Sequence, residues 1–76
     1  MKLRIGYVVK MKDGRIGMIT WRKSNEEIGI NFNHYHIIEN VLGKDKTPQQ
    51  RKEWIVAMGA DDIFSISEIE SVVNVN

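Results

Sequence analysis

The chain has no cysteine, a single proline and no long apolar run, and each lack removes a class of answer. Without cysteine there are no disulfides, no thiolate nucleophile and no Cys-ligated zinc. The lack fits a reducing compartment. No apolar stretch approaches the roughly 18 residues of a membrane span, and the first residues carry no signal-peptide core. A cytoplasmic protein with no membrane partner is the expectation. At 76 residues there is room for one domain, 1–76, and no second core.

Charge is scarce in net terms, +1, but it is divided along the chain. Residues 1–38 hold seven Lys/Arg against three Asp/Glu, and residues 39–76 hold four against seven, so the halves are +4 and −3. Such a division either presents a basic face to a polyanion or supplies solvated strand edges that resist edge-to-edge pairing.

What is present begins with a hairpin. Leu3, Ile5, Tyr7, Val9 and Met11 alternate with Arg4, Gly6, Val8, Lys10 and Lys12, the period of a half-buried strand with the first set inward. Gly6 marks a bend, a bulge or a close backbone approach. Asp13-Gly14 then predicts a type I′ turn. A second strand runs from about Arg15 to Arg22, where Gly17 favours an inward face of Gly17, Ile19 and Trp21. After the polar loop Ser24–Glu27, Ile28, Ile30 and Phe32 alternate as a third strand.

Residues 33–46 read either as a fourth strand or as a short helix between Asn33 and Gly43. Thr47-Pro48-Gln49-Gln50 is a capping box with proline at the first helical position, and Gly59 stands where a C′ glycine belongs. These signals predict a helix over 48–58 with Trp54, Ile55 and Met58 on one face. Ile63–Ile66 reads as a short strand, Ser67–Glu70 as a single capped turn, and Val72, Val73 and Val75 as a closing strand.

Gly6-Tyr7-Val8-Val9 followed by Lys12-Asp13-Gly14-Arg15-Ile16-Gly17-Met18-Ile19 resembles the opening of small SH3-like barrels, including KOW- and Tudor-type modules. Ile66-Ser67-Glu68-Ile69-Glu70-Ser71-Val72 is similar to their last segment, a strand, a tight turn and a closing strand. The resemblance implies a mainly β fold, an SH3-like small barrel of four or five antiparallel strands with a short helical insertion at about 48–58. Tyr7 departs from the usual polar residue, and 33–60 exceeds the insertion of a minimal barrel. The general look is also similar to that of small proteins of phages and mobile elements.

The chemistry-bearing residues point away from catalysis. His34 and His36 could share a strand face, but a third metal ligand is merely available, in Glu39 or a loop aspartate. Asp61-Asp62 reads as a turn and Glu68/Glu70 as a solvated pair, and no Ser-His-Asp order or phosphate-cradling glycine loop is present. No enzyme, metal or cofactor is expected. A non-enzymatic binding module remains, with protein interaction ranked first. Tyr35, Trp54 and Ile55 are its candidate surface, a homodimer over the helix face being one form. Trp54 decides between interface and core according to whether it is exposed beside Ile55. Nucleic-acid binding is the alternative, through Lys10, Lys12, Arg15, Arg22 and Lys23, with Tyr7, Trp21 or Tyr35 available to stack on bases.

Overall fold

A computed structural model describes residues 2–38 and 45–75. Five strands, β1 (Val8–Met11), β2 (Ile16–Arg22), β3 (Glu27–Asn31), β4 (Asp62–Ser65) and β5 (Ile69–Asn74), form one antiparallel sheet. The order is β4-β3-β2-β1-β5, so β4 and β5 are its edges and the sheet is not closed. Between β3 and β4 lie one helical turn, α1 (Tyr35–Ile37), and the helix α2 (Pro48–Met58). A 3-10 turn, Ile66–Glu68, leads into β5. The fold is therefore mainly β with a short helix, as the alternation implied.

The hairpin forms where expected but closes differently. Gly14 N donates to Met11 O (2.9 Å) and Met11 N to Arg15 O (2.8 Å). The loop is thus three residues, Lys12-Asp13-Gly14, with Lys12 and Asp13 central and Gly14 at φ +94°. This is a three-residue hairpin loop and not the two-residue type I′ turn expected. Asp13 Oδ1 accepts from Arg15 N (3.0 Å), a bond a carboxylate makes readily in a turn. Gly6 makes the predicted bend: it has φ +99°, and a Cβ there would lie 3.4 Å from Ile55 Cδ1.

Both sheet faces are covered, which the strand-one alternation did not anticipate. Val9, Met11, Ile19, Ile28, Ile30 and Ile69 fill one face, with Leu3 closing its end. Val8 and Met18 point the other way, yet they are buried by Ile38 and by Ile55 from α2. Burying one such aliphatic side chain contributes about 1.5–3 kcal/mol, and α2 buries Ile55 alone.

A bulge decides the fate of Trp21. Ile19 pairs with Ile30 and Trp21 with Gly29, so Thr20 is an extra residue in β2. Alternation breaks there, and Trp21 turns to the helix side, where it is 43% exposed instead of inward with Ile19. Thr20 is fully buried, and its hydroxyl donates to Gly59 O (3.0 Å). Asn31 Nδ2 donates to the same carbonyl (3.1 Å), so two buried polar side chains tie the end of α2 to the sheet. Asn31 Oδ1 also accepts from Asn33 N (3.1 Å) and His34 N (2.8 Å), which turns the chain out of β3.

The helix prediction and its boundaries agree with α2. Thr47 and Gln50 make the reciprocal capping bonds, Pro48 opens the first turn, and Gly59 caps at φ +76°. The second box belongs to Ser65 and Glu68, two residues earlier than the Ser67–Glu70 expected, because the 3-10 turn starts at Ile66. Of the stretch 33–46 left open between strand and helix, Tyr35–Ile37 form a helical turn. Glu39 and Gly43 lie outside the described residues.

Candidate functional site

Three segments that are distant in sequence converge on a cleft of about 750 Å³. The segment before β1 contributes Arg4, the end of β2 contributes Arg22, and the start of α2 contributes Lys46, Arg51 and Lys52. Leu3, Ile5, Pro48 and Ile55 supply the apolar lining. Five cations thus surround one recess, and no carboxylate among the described residues lines it.

Local structure explains how each cation is placed. The bend at Gly6 presses its backbone toward Ile55 and carries Arg4 to the foot of the helix. Arg22 is fixed by its guanidinium, which donates to Leu3 O and to Ser24 O. The capping box starts α2 at Pro48, which sets Arg51 and Lys52 within a turn of its N-terminus. That end of a helix carries a partial positive charge, and cations there are unfavourable by roughly 0.3–1 kcal/mol each. The first turn of α2 holds no acidic residue to offset them. Among the described residues, Arg51 Nε is moreover buried with no hydrogen-bond partner. Such a donor is expensive to leave unmet. The described lining of the cleft is thus positively charged.

The cations proposed from sequence lie elsewhere, Arg22 excepted. Lys10 Nζ is 3.4 Å from Glu70 Oε2 across β1–β5. Arg15 Nη2 is 2.8 Å from Asp13 Oδ2, and its guanidinium sits 4.4 Å from the Phe32 ring centre and 5.4 Å from that of Phe64. Those two rings pack edge to face at 5.7 Å, so Arg15 covers the end of the sheet core. The hydrogen bond from Arg15 holds the Asp13 carboxyl below its ordinary value, and Asp13 pushes the Arg15 guanidinium up. Lys12 and Lys23 are exposed and line neither recess. On the hairpin, Lys10 and Arg15 are each engaged by a carboxylate.

Of the protein-binding candidates, Tyr35 and Ile55 meet in one apolar cluster and Trp54 stands outside it. Ile55 is only 4% exposed and belongs to the core, while Trp54 is 49% exposed beside it on α2. Tyr35 is half-buried against the Val8–Met18 cluster. Exposed apolar side chains meet instead in a second recess of about 430 Å³ formed by Trp21, Val56, Ala60 and Ile63, with Asp61 and Asp62 on its walls. Asp61 Oδ2 accepts from Phe32 N (2.7 Å) and Asn33 Nδ2 (3.1 Å). The bond from Phe32 is the main reason its carboxyl lies below the usual range.

Three further carboxylates have structural partners. Glu68 caps the 3-10 turn, Glu70 pairs with Lys10, and Asp62 accepts from Ile63 N (2.8 Å). His36 lies in the helical turn and His34 just before it, so i and i+2 do not share a face. Among the described residues no three metal-ligating side chains cluster.

Arg4 belongs, from sequence, to the outward basic face of the first strand with Lys10 and Lys12; the cleft cations that sequence reasoning passed over, Lys46, Arg51 and Lys52, left one signal. Two cations follow a capping box with no acid in the first turn, the reverse of the usual charge placement on a helix. No family model matches the chain, and neither a curated protein nor a solved structure matches it.

Proposed function

We propose that this chain is a non-enzymatic binding module of SH3-like type whose ligand is a nucleic acid, held through its phosphates in the basic cleft. The observation that carries the reading is the convergence of five cations from three segments on one recess with no carboxylate among the described residues of its lining. Cations placed this way repel one another until counter-charge arrives, and a phosphodiester chain supplies it at regular spacing. The barrel type is supported by the β1–β2–β3–β4 meander, with β5 returning beside β1 after a 3-10 turn.

The test is fluorescence anisotropy with random-sequence DNA and RNA at low and physiological salt. Binding should weaken steeply with salt, fall at least tenfold in a Lys46→Glu/Lys52→Glu variant, and persist in Lys10→Glu/Lys12→Glu. Absence of binding at low salt by a folded chain would overturn the proposal.

A second reading, a protein partner, is favoured by the recess at Trp21, Val56 and Ile63, where large apolar side chains stay exposed together. A homodimer over this face would give a sedimentation mass that rises with concentration and reverts to monomer in Trp21→Asp. A concentration-independent monomer would exclude that form.

A further inference from the structure

We infer that the cleft receives the phosphodiester ridge of a double helix and reads no base; this rests on the nucleic-acid reading above. The first argument is the chemistry of the lining. Every charged or polar side chain that lines the cleft among the described residues is Lys or Arg. These groups only donate. Recognition of adenine or cytosine edges needs an acceptor or an amide, and among the described residues the lining has no Asn, Gln, Ser, Thr, Asp or Glu; guanine, which Arg and Lys can contact, is kept out of reach by shape, the third argument.

The second argument is what the bases would meet. Proteins that hold single strands stack bases on aromatic side chains. The apolar lining here is aliphatic, Leu3, Ile5, Pro48 and Ile55, which suits sugar C–H surface and not a base plane. The exposed Trp21 lines the other recess, and Trp54, though on α2, does not line the cleft. Shape is the third argument. Base edges lie at the bottom of grooves, roughly 8.5 Å deep on the major side, and are reached by an element that protrudes. A recess cannot enter a groove, whereas the convex backbone between grooves can enter a recess.

The experiment titrates the full chain against an alternating A·T duplex, a G·C duplex of equal length, a duplex RNA, oligo-dT and oligo-dA over a salt series. The A·T and G·C duplexes should bind within about threefold of each other, well below the discrimination a base contact gives. Both should bind more tightly than either single strand. Five cations predict a slope of log K on log salt of about −4.5 for the DNA duplexes. Duplex RNA binding as well as the DNA duplexes supports recognition of the ridge in general, and weaker duplex RNA binding supports the B-form ridge as the ligand. A preference above about tenfold for one duplex composition, or tighter binding of oligo-dT than of duplex, would overturn the inference while leaving the nucleic-acid reading intact. Failure of every probe at low salt removes the reading beneath it, so the two failures are distinguishable.

Discussion

The β1–β2 hairpin and the cleft beside α2 both carry several cations, and they use them in opposite ways. On the hairpin, Lys10 faces Glu70 across the strand pair and Arg15 is held by Asp13 over Phe32. Those contacts are exposed, where solvent screens an ion pair and leaves it little net stabilisation. They solubilise and cap a sheet. Around the cleft, the cations of Arg4, Lys46, Arg51 and Lys52 converge with that of Arg22 and meet no carboxylate among the described residues of the lining. The difference shows that counting basic residues on an element identifies a charged strand, while a binding surface depends on what those residues face.

The largest effect that would break the comparison comes from removing the pillar beneath the cleft. Ile55→Ala deletes the buried side chain that holds α2 to the sheet and should cost about 2–4 kcal/mol in a denaturant titration. Helical circular dichroism and nucleic-acid binding should fall with it, because Lys46, Arg51 and Lys52 lose their placement. An unchanged midpoint would mean α2 is anchored by something other than Ile55.

Next in size is damage to the hairpin. Gly14→Val puts a β-branched residue at φ +94° and should cost on the order of 1–3 kcal/mol, read as a lower Tm. The folded fraction should still bind polyanion, since the cleft has no residue in that loop. Gly17→Ala tests the same hairpin from inside. A Cβ there would come within 2.7 Å of Ile30 Cγ2 and Phe32 Cδ1 and 2.8 Å of Asn31 O. Overpacking of that kind costs about 1–3 kcal/mol, and a neutral Tm would show that the strands can part.

The smallest effect is a pH dependence away from both regions. Asp61 is ionised in its bonds to Phe32 N and Asn33, which depresses its folded pKa below the ordinary 3.8. A depressed carboxylate contributes stability above its unfolded value and loses it as pH falls through the folded one. Tm should therefore drop below pH ~3.8, and Asp61→Asn, which keeps an acceptor without a titrating charge, should flatten that limb. Asp13 is shifted in the same direction and adds to the same window. An identical acid limb in Asp61→Asn would assign the loss to other carboxylates.

How much of this was legible depended on range. Thr47, Pro48, Gln50 and Gly59 announced α2 to the residue, because capping is local chemistry. The meander and the closing β5 followed from alternation, and Gly6 from its lack of a side chain. Trp21 did not follow, since the bulge at Thr20, whose hydroxyl bonds Gly59 O thirty-nine residues away, breaks the alternation just before it. Val8 was assigned to a solvated face because the element that covers it, α2, lies far along the chain.

The sequence by itself determined the elements: their periods, caps and turn residues act within a few positions and need no partner. Only the tertiary structure decided which side chains share a space. Arg4, Arg22 and Arg51 are separated by tens of residues, and no local preference records their meeting. Packing of Ile55 against the Val8–Met18 face brings them together, and that contact exists only once the whole chain has folded.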